Sequence, residues 1–115
     1  MSIGDWLKRP AAGGREKLEA RVIDALRTVF DPEIPVNIYD LGLIYRLEVG
    51  SDGNVAIDMT LTAPGCPVAQ TFPGTVADAV RSVEGVTDVH VELVWEPPWS
   101  RHMMSEAARL QLGML

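Results

Sequence analysis

Two alternating runs on either side of the stretch "GSDGN" constrain this chain more than any other feature. Before it, Leu43, Tyr45, Leu47 and Val49 alternate with Ile44, Arg46 and Glu48; after it, Val55, Ile57, Met59 and Leu61 alternate with Ala56, Asp58 and Thr60. Period-two alternation marks a strand with one buried face, because successive side chains point to opposite sides of a sheet. A short connection containing glycine joins two such strands as an antiparallel hairpin. Each strand then offers one strongly apolar face that other elements must cover.

The flanking segments supply the cover. From Arg15, the spacing of Leu18, Val22, Ala25, Leu26 and Val29 gives one apolar helical stripe, with Glu16, Lys17, Glu19, Arg21, Asp24 and Arg27 elsewhere. This helix must stop near Phe30, because Asp31 precedes Pro32 and Pro35 discourages a restart. After the hairpin, Val68, Phe72, Val76, Ala79, Val80 and Val83 mark a second helical face that runs through Pro73 and Gly74. An interior proline costs about 3 kcal/mol, so this helix is expected to be kinked or to start late, with Gly85 as its carboxy-terminal cap. Val89, Val91, Leu93 and Trp95 alternate as a third strand ended by Pro97 and Pro98, and Ser105 is placed to cap a short helix from Glu106 to Leu112, stopped by Gly113. The order α-β-β-α-β-α implies an α/β (α+β) two-layer sandwich, a mixed three-stranded sheet with helices on one face. Residues 1–14 read as a flexible leader in which Trp6 and Leu7 have a chance to dock. Residues 15–115 read as a single domain, which is what a chain of 115 residues has room for.

Charge and cysteine content narrow the function. Ten Lys and Arg against sixteen Asp and Glu leave a formal charge of -6 and no basic patch, which argues against a nucleic-acid partner. No apolar run approaches the roughly 18 residues that span a bilayer, and "MSIGDWLKRP" lacks the apolar core of a signal peptide, so no membrane association and a cytoplasmic location are expected. One cysteine excludes an internal disulfide, and no CxxC pair suggests a zinc site. No P-loop, GxGxxG or GxSxG occurs.

That cysteine lies in "TAPGCP". Pro67 suits the first turn of a helix, which places Cys66 at or beside a helix amino terminus, where unpaired N–H groups and the helix dipole favour the thiolate. The competing reading is a small buried hydrophobe, although position at a strand-to-helix junction weighs against it. The acidic stretch "DPEIPVNIYDLGLIY" is either a solvated loop or part of a site. An antiparallel hairpin brings the residues before its first strand to the same end as those after its second, so Asp31, Glu33 and Asp40 are expected near Thr62 and Cys66. In "VWEPPWS", parity points Trp95 coreward with Leu93 and leaves Trp99 as an exposed anchor for a partner. His90 and His102 read as surface or packed histidines, since neither has a neighbour at metal-ligand spacing, and Met103 and Met104 read as packing residues.

Taken together, "DPEIPVNIYDLGLIY", "TAPGCP" and "VWEPPWS", followed by the tail "MSEAARLQLG", resemble the SufT/PaaD-type family of iron–sulfur cluster assembly factors over about Glu16 to Leu115. The resemblance implies an α/β assembly domain and a non-enzymatic accessory role in iron–sulfur protein maturation, alongside scaffold, carrier or client apo-proteins. It implies a reactive cysteine at Cys66 and a site including Asp31, Glu33, Ile34 and Thr62. PaaD-like members add a cysteine-rich tail and carrier relatives add a nucleotide-binding domain; both are absent here, so the stand-alone SufT type fits better. Clusters take four thiolates and one chain supplies one, so no cofactor is expected to be stably bound and Cys66 would contact iron or a cluster transiently. A homodimer is left open by the lone thiol and by an edge strand in the sheet. A thiol-dependent transfer enzyme, or an adaptor in which Cys66 only packs, are the alternatives.

Overall fold

The computed structural model describes residues 12–62 and 70–113. Its elements are α1 (Ala12–Leu26), β1 (Ile44–Val49), β2 (Asn54–Met59), α2 (Phe72–Arg81), β3 (Asp88–Leu93), a 3-10 turn (Arg101–Met103) and α3 (Glu106–Gln111). β1 pairs antiparallel with β2, and β2 pairs parallel with β3, giving the order β1-β2-β3. The sheet is therefore mixed, and α2 is the crossover that parallel pairing requires.

The apolar stripes close on one face. Leu18, Val22 and Leu26 of α1 and Phe72, Val76 and Val80 of α2 are buried against Val49, Val55, Ile57, Met59 and Val89 of the strands. α1 packs on β1 and on α2, while α2 covers β3. The opposite face carries Arg46, Asp58, His90 and Glu92, and Arg46 Nε donates to Asp58 Oδ2 at 2.8 Å across the β1–β2 pair. α3 is anchored on the loop between α1 and β1: the Ser105 N–H donates to the Asp40 carbonyl (2.8 Å), Gln111 Nε2 to the Pro35 carbonyl (3.3 Å), and Ala108 is fully buried.

Local chemistry explains where the elements differ from expectation. α1 begins at Ala12, so residues 12–14 of the expected leader are helical, while residues 1–11, with Trp6 and Leu7, lie outside the described residues. α2 starts late, with Pro73 in its first turn, where the missing N–H is no loss. Ser82 rather than Gly85 caps it; Gly85 instead takes a positive φ of 100° in the following turn. Ser105 Oγ accepts from the Ala108 N–H at 3.1 Å, the expected cap of α3, and Gly113 follows at φ 72°.

Three positions break the simple alternation. β1 opposes Ile44 to Met59 and Arg46 to Asp58, so Tyr45 is the extra residue of a bulge; its hydroxyl donates to the Pro97 carbonyl at 2.6 Å instead of its ring joining Leu43 in the core. β3 ends at Leu93, so strand parity no longer governs the tryptophans that follow. Trp95 is 39% exposed, whereas Trp99 is packed against the core and its Nε1 donates to the Leu41 carbonyl at 2.7 Å, which reverses the expected orientations of the pair.

Candidate functional site

The loop after α1 is organised by one carboxylate. Asp31 is only 6% exposed. Its Oδ1 accepts from the backbone N–H groups of Glu33 and Ile34, both at 2.8 Å, and its Oδ2 accepts from Thr62 Oγ1 at 3.3 Å. Two prolines leave the segment without a helical or strand ladder, so an aspartate side chain takes the place of the backbone acceptor its N–H groups need. The main chain folds back on itself around it, with the Asp31 N–H donating to the Val36 carbonyl (3.2 Å) and the Ile38 N–H to the Val29 carbonyl (2.9 Å). Val36, Ile38 and Leu41 anchor the loop in the core.

The Thr62 contact is the long-range one. It joins the acidic loop to the chain leaving β2, as the hairpin argument requires, and it lies four residues before Cys66 in the sequence. Ile34 packs part-buried against the core, and Glu33 is exposed. Asp40 is engaged elsewhere: its Oδ2 accepts from Asn37 Nδ2 at 2.9 Å, its N–H donates to Asn37 Oδ1 at 2.9 Å, and its Oδ1 lies 3.9 Å from Arg27 Nε. Arg27 also lies 5.0 Å from the centroid of the Tyr39 ring. Asp40 therefore secures the loop to α1 and α3 and is not shown joining Asp31 and Thr62. Cys66, with residues 63–69, lies outside the described residues.

Beside Thr62 is a feature that alternation alone did not flag. A cavity of about 120 Å³ is lined by Thr60, Leu61, Thr62, Trp95, Pro98 and Trp99. Thr60 is fully buried and its Oγ1 has no hydrogen-bond partner among the described residues. A hydroxyl in that state costs about 1–3 kcal/mol; by alternation Thr60 falls with Ala56 and Asp58 on the polar face, so nothing in the sequence pattern marked its burial. The segment roofing this end of the sheet is held by Trp99 on Leu41 and by Tyr45 on Pro97. Burial, and then the Glu96 carboxylate, push Tyr45 above its ordinary value of 10.0 and keep its hydroxyl protonated as a donor.

In chemical terms the described part of the site is neutral and apolar around one committed carboxylate. Among the described residues, no group of three or more His, Cys, Asp or Glu side chains is placed to hold a metal ion. Asp31 takes two backbone N–H bonds on Oδ1 and the Thr62 hydroxyl on Oδ2, which leaves one lone pair, on Oδ2, for any ligand. Exposed Glu33 carries no such obligation.

A small mixed-sheet domain with two helices on one face, and an aspartate tying the loop before the hairpin to the chain leaving it, matches a described class. The chain belongs to the family of iron-sulfur cluster assembly proteins, whose family model matches residues 19–93. Two of the three stretches carrying the resemblance fall inside that match, and "VWEPPWS" follows it. The chain is 55% identical over 97 residues to a Porphyromonas gingivalis protein named Fe-S protein maturation auxiliary factor, covering 84% of this chain and 92% of the relative. It is 41% identical to the Bacillus subtilis Fe-S protein maturation auxiliary factor YitW, covering 86% and 97%. A Bacillus anthracis crystal structure described as a domain of unknown function, DUF59, superposes with a TM-score of 0.80 at 36% identity, covering 91% of this chain and all of that one.

Proposed function

We propose that this protein is a non-enzymatic accessory factor in the maturation of iron–sulfur proteins, working in the cytoplasm with scaffold, carrier or client apo-proteins. In this reading the Cys66 thiolate takes iron, sulfur or a cluster as transient cargo, and Asp31 ties the acidic loop to the chain that leads to the thiol. The observation that carries it is the Thr62–Asp31 hydrogen bond, which fixes the acidic loop to the chain four residues ahead of Cys66. One thiol is short of the four a cluster takes, so cargo held here needs ligands from a partner, a small thiol or a second copy. No helix among the described residues is long and apolar enough to cross a membrane.

A second reading, a protein adaptor in which the thiol only packs, is favoured by Trp95, a large apolar side chain exposed beside the cavity. One experiment separates the two. Cells lacking the protein are complemented at equal abundance with wild type or Cys66→Ser under iron limitation, and the activity of iron–sulfur enzymes is measured. Serine preserves the volume, but its hydroxyl stays protonated and is a poor soft-metal ligand, so a working thiol predicts failure. Full rescue by the serine variant transfers the function to the adaptor surface.

A further inference from the structure

The two edges of the sheet are built differently. The β1 edge is bulged at Tyr45, a device that discourages strand pairing. β3, the sequence "DVHVEL", is regular over its whole length, opposing Asp88–Leu93 residue for residue to Asn54–Met59. It has no proline, lysine or bulge. Among the described residues no strand lies beyond it.

Parallel pairing fixes which main-chain groups of β3 face outward. The Val94 N–H donates inward to the Met59 carbonyl, so alternate residues before it, His90 and Glu92, also turn their amide and carbonyl toward β2. Val89, Val91 and Leu93 therefore turn theirs to the open edge. A second copy that extends the sheet antiparallel about a two-fold axis perpendicular to it must oppose residues of the same face, so the axis passes a residue and its own copy. Centring on Val91 makes Val91 a hydrogen-bonded pair with itself and Val89 a hydrogen-bonded pair with the partner's Leu93, using every outward group of the strand. The same register sets His90 opposite the partner's Glu92 twice, in the non-hydrogen-bonded positions where side chains stand closest. Imidazole carries an N–H donor in either charge state, so each of those pairs is complementary. Centring on His90 would set Asp88 against the partner's Glu92 twice, and centring on Glu92 would set that carboxylate against its own copy; both oppose like charges. Centring on Val89 leaves Val91, Glu92 and Leu93 without a strand residue opposite them.

We propose that the open edge of β3 is a self-recognition surface, through which two copies of this chain form a six-stranded sheet in the register centred on Val91. The proposal goes beyond the functional reading and does not depend on it. It carries a consequence for that reading: because β3 is parallel to β2, the Asp31–Thr62 ends of the two copies lie at opposite ends of the joined sheet. Each subunit then presents its site to its own partner, and the two sites do not pool ligands across this interface.

The test is the oligomeric state of the full chain by sedimentation velocity over a dilution series reaching about 1 mM. Wild type is expected to dimerise. His90→Glu places two carboxylates opposite one another at each pair and is expected to raise the dimer dissociation constant roughly tenfold or more, while the double variant His90→Glu/Glu92→Lys restores the complementarity and the dimer. Circular dichroism confirms that each variant keeps the fold; should His90→Glu not fold, His90→Asp, which sets a carboxylate against the partner's Glu92 in the same positions, replaces it with the same expected loss. A wild type that is monomeric throughout overturns the proposal, as does a dimer that is indifferent to the single variants or that the double variant does not restore.

Discussion

Thr60 and Thr62, two residues apart and facing the same cavity, should respond with opposite signs to the same substitution. Thr60 Oγ1 is buried without a partner, whereas Thr62 Oγ1 donates to Asp31 Oδ2 at 3.3 Å. Replacing threonine by valine exchanges a hydroxyl for a methyl of similar size and keeps the β-branched shape that suits extended backbone. At Thr60 this removes a desolvated polar group whose burial costs about 1–3 kcal/mol and adds apolar burial worth up to about 0.8 kcal/mol. We expect Thr60→Val to stabilise the fold by about 1–2 kcal/mol. For a chain of 115 residues each kcal/mol moves Tm by about 4 °C, so the melt should rise by about 4–8 °C. Thr62→Val loses one hydrogen bond to a carboxylate at the long end of the range and should fall by about 1 kcal/mol. Differential scanning calorimetry of the two single variants and wild type, at one protein concentration and pH 7, gives both signs. A Tm for Thr60→Val at or below wild type would refute the reasoning, because it would mean the hydroxyl has a partner in solution, such as a buried water in the adjoining cavity.

Three further outcomes follow from named contacts. Asp31→Ala leaves the Glu33 and Ile34 N–H groups and Thr62 without their acceptor and should cost about 2–4 kcal/mol by urea denaturation, whereas Asp31→Asn keeps an Oδ1 acceptor and should cost at least about 1 kcal/mol less. Trp99→Phe strands the Leu41 carbonyl and should cost about 1–2 kcal/mol in the same assay; no loss would mean the indole N–H does not hold the roofing segment. Asp58 is held below its ordinary value of 3.8, chiefly by its hydrogen bond to Arg46, so its stabilising contribution is complete at neutral pH and is lost as pH falls below about 4 through the lowered folded value. Thermal melts of Asp58→Asn should lie below wild type at pH 7 and converge with it toward pH 2; a gap that persists to pH 2 would assign the difference to packing instead.

The order and pairing of the elements were legible because each depends on short-range periodicity and punctuation. The hairpin was marked by "GSDGN", whose Gly53 sits at φ 90°, where an added Cβ would run into the Gly85 carbonyl oxygen, and whose carbonyl receives the Thr87 N–H at 2.9 Å. The meeting of Asp31 with Thr62 was legible for the same reason, since antiparallel return fixes which chain ends share an end of the sheet. What failed to read were positions where a non-local contact outweighs period two. Tyr45 fits the core face by count, but the bulge and the Pro97 carbonyl turn it out; Trp95 and Trp99 exchange roles because β3 stops at Leu93 and the indole of Trp99 finds Leu41, 58 positions earlier in the chain. Asp40 carries the same charge as Asp31, but Asn37 and Arg27 claim it.

The commitments of Asp31 also decide how carboxylates can share in metal chemistry here. Using Oδ2 as an oxygen ligand would set the metal against the Thr62 hydroxyl, while Oδ1 is held by the two backbone N–H groups that order the loop. Ligation through Oδ2 therefore competes with the tie to Thr62 and not with the turn at Glu33 and Ile34. Glu33, exposed and two residues along, can meet iron or a basic group of a partner without dismantling anything, because its backbone is already fixed by Asp31. In the proposed function the labour is divided: a buried carboxylate sets the geometry, an exposed one engages, and Cys66 supplies the soft ligand that neither can. Glu33→Gln should then weaken function while leaving stability unchanged, and Asp31→Ala should lower both together.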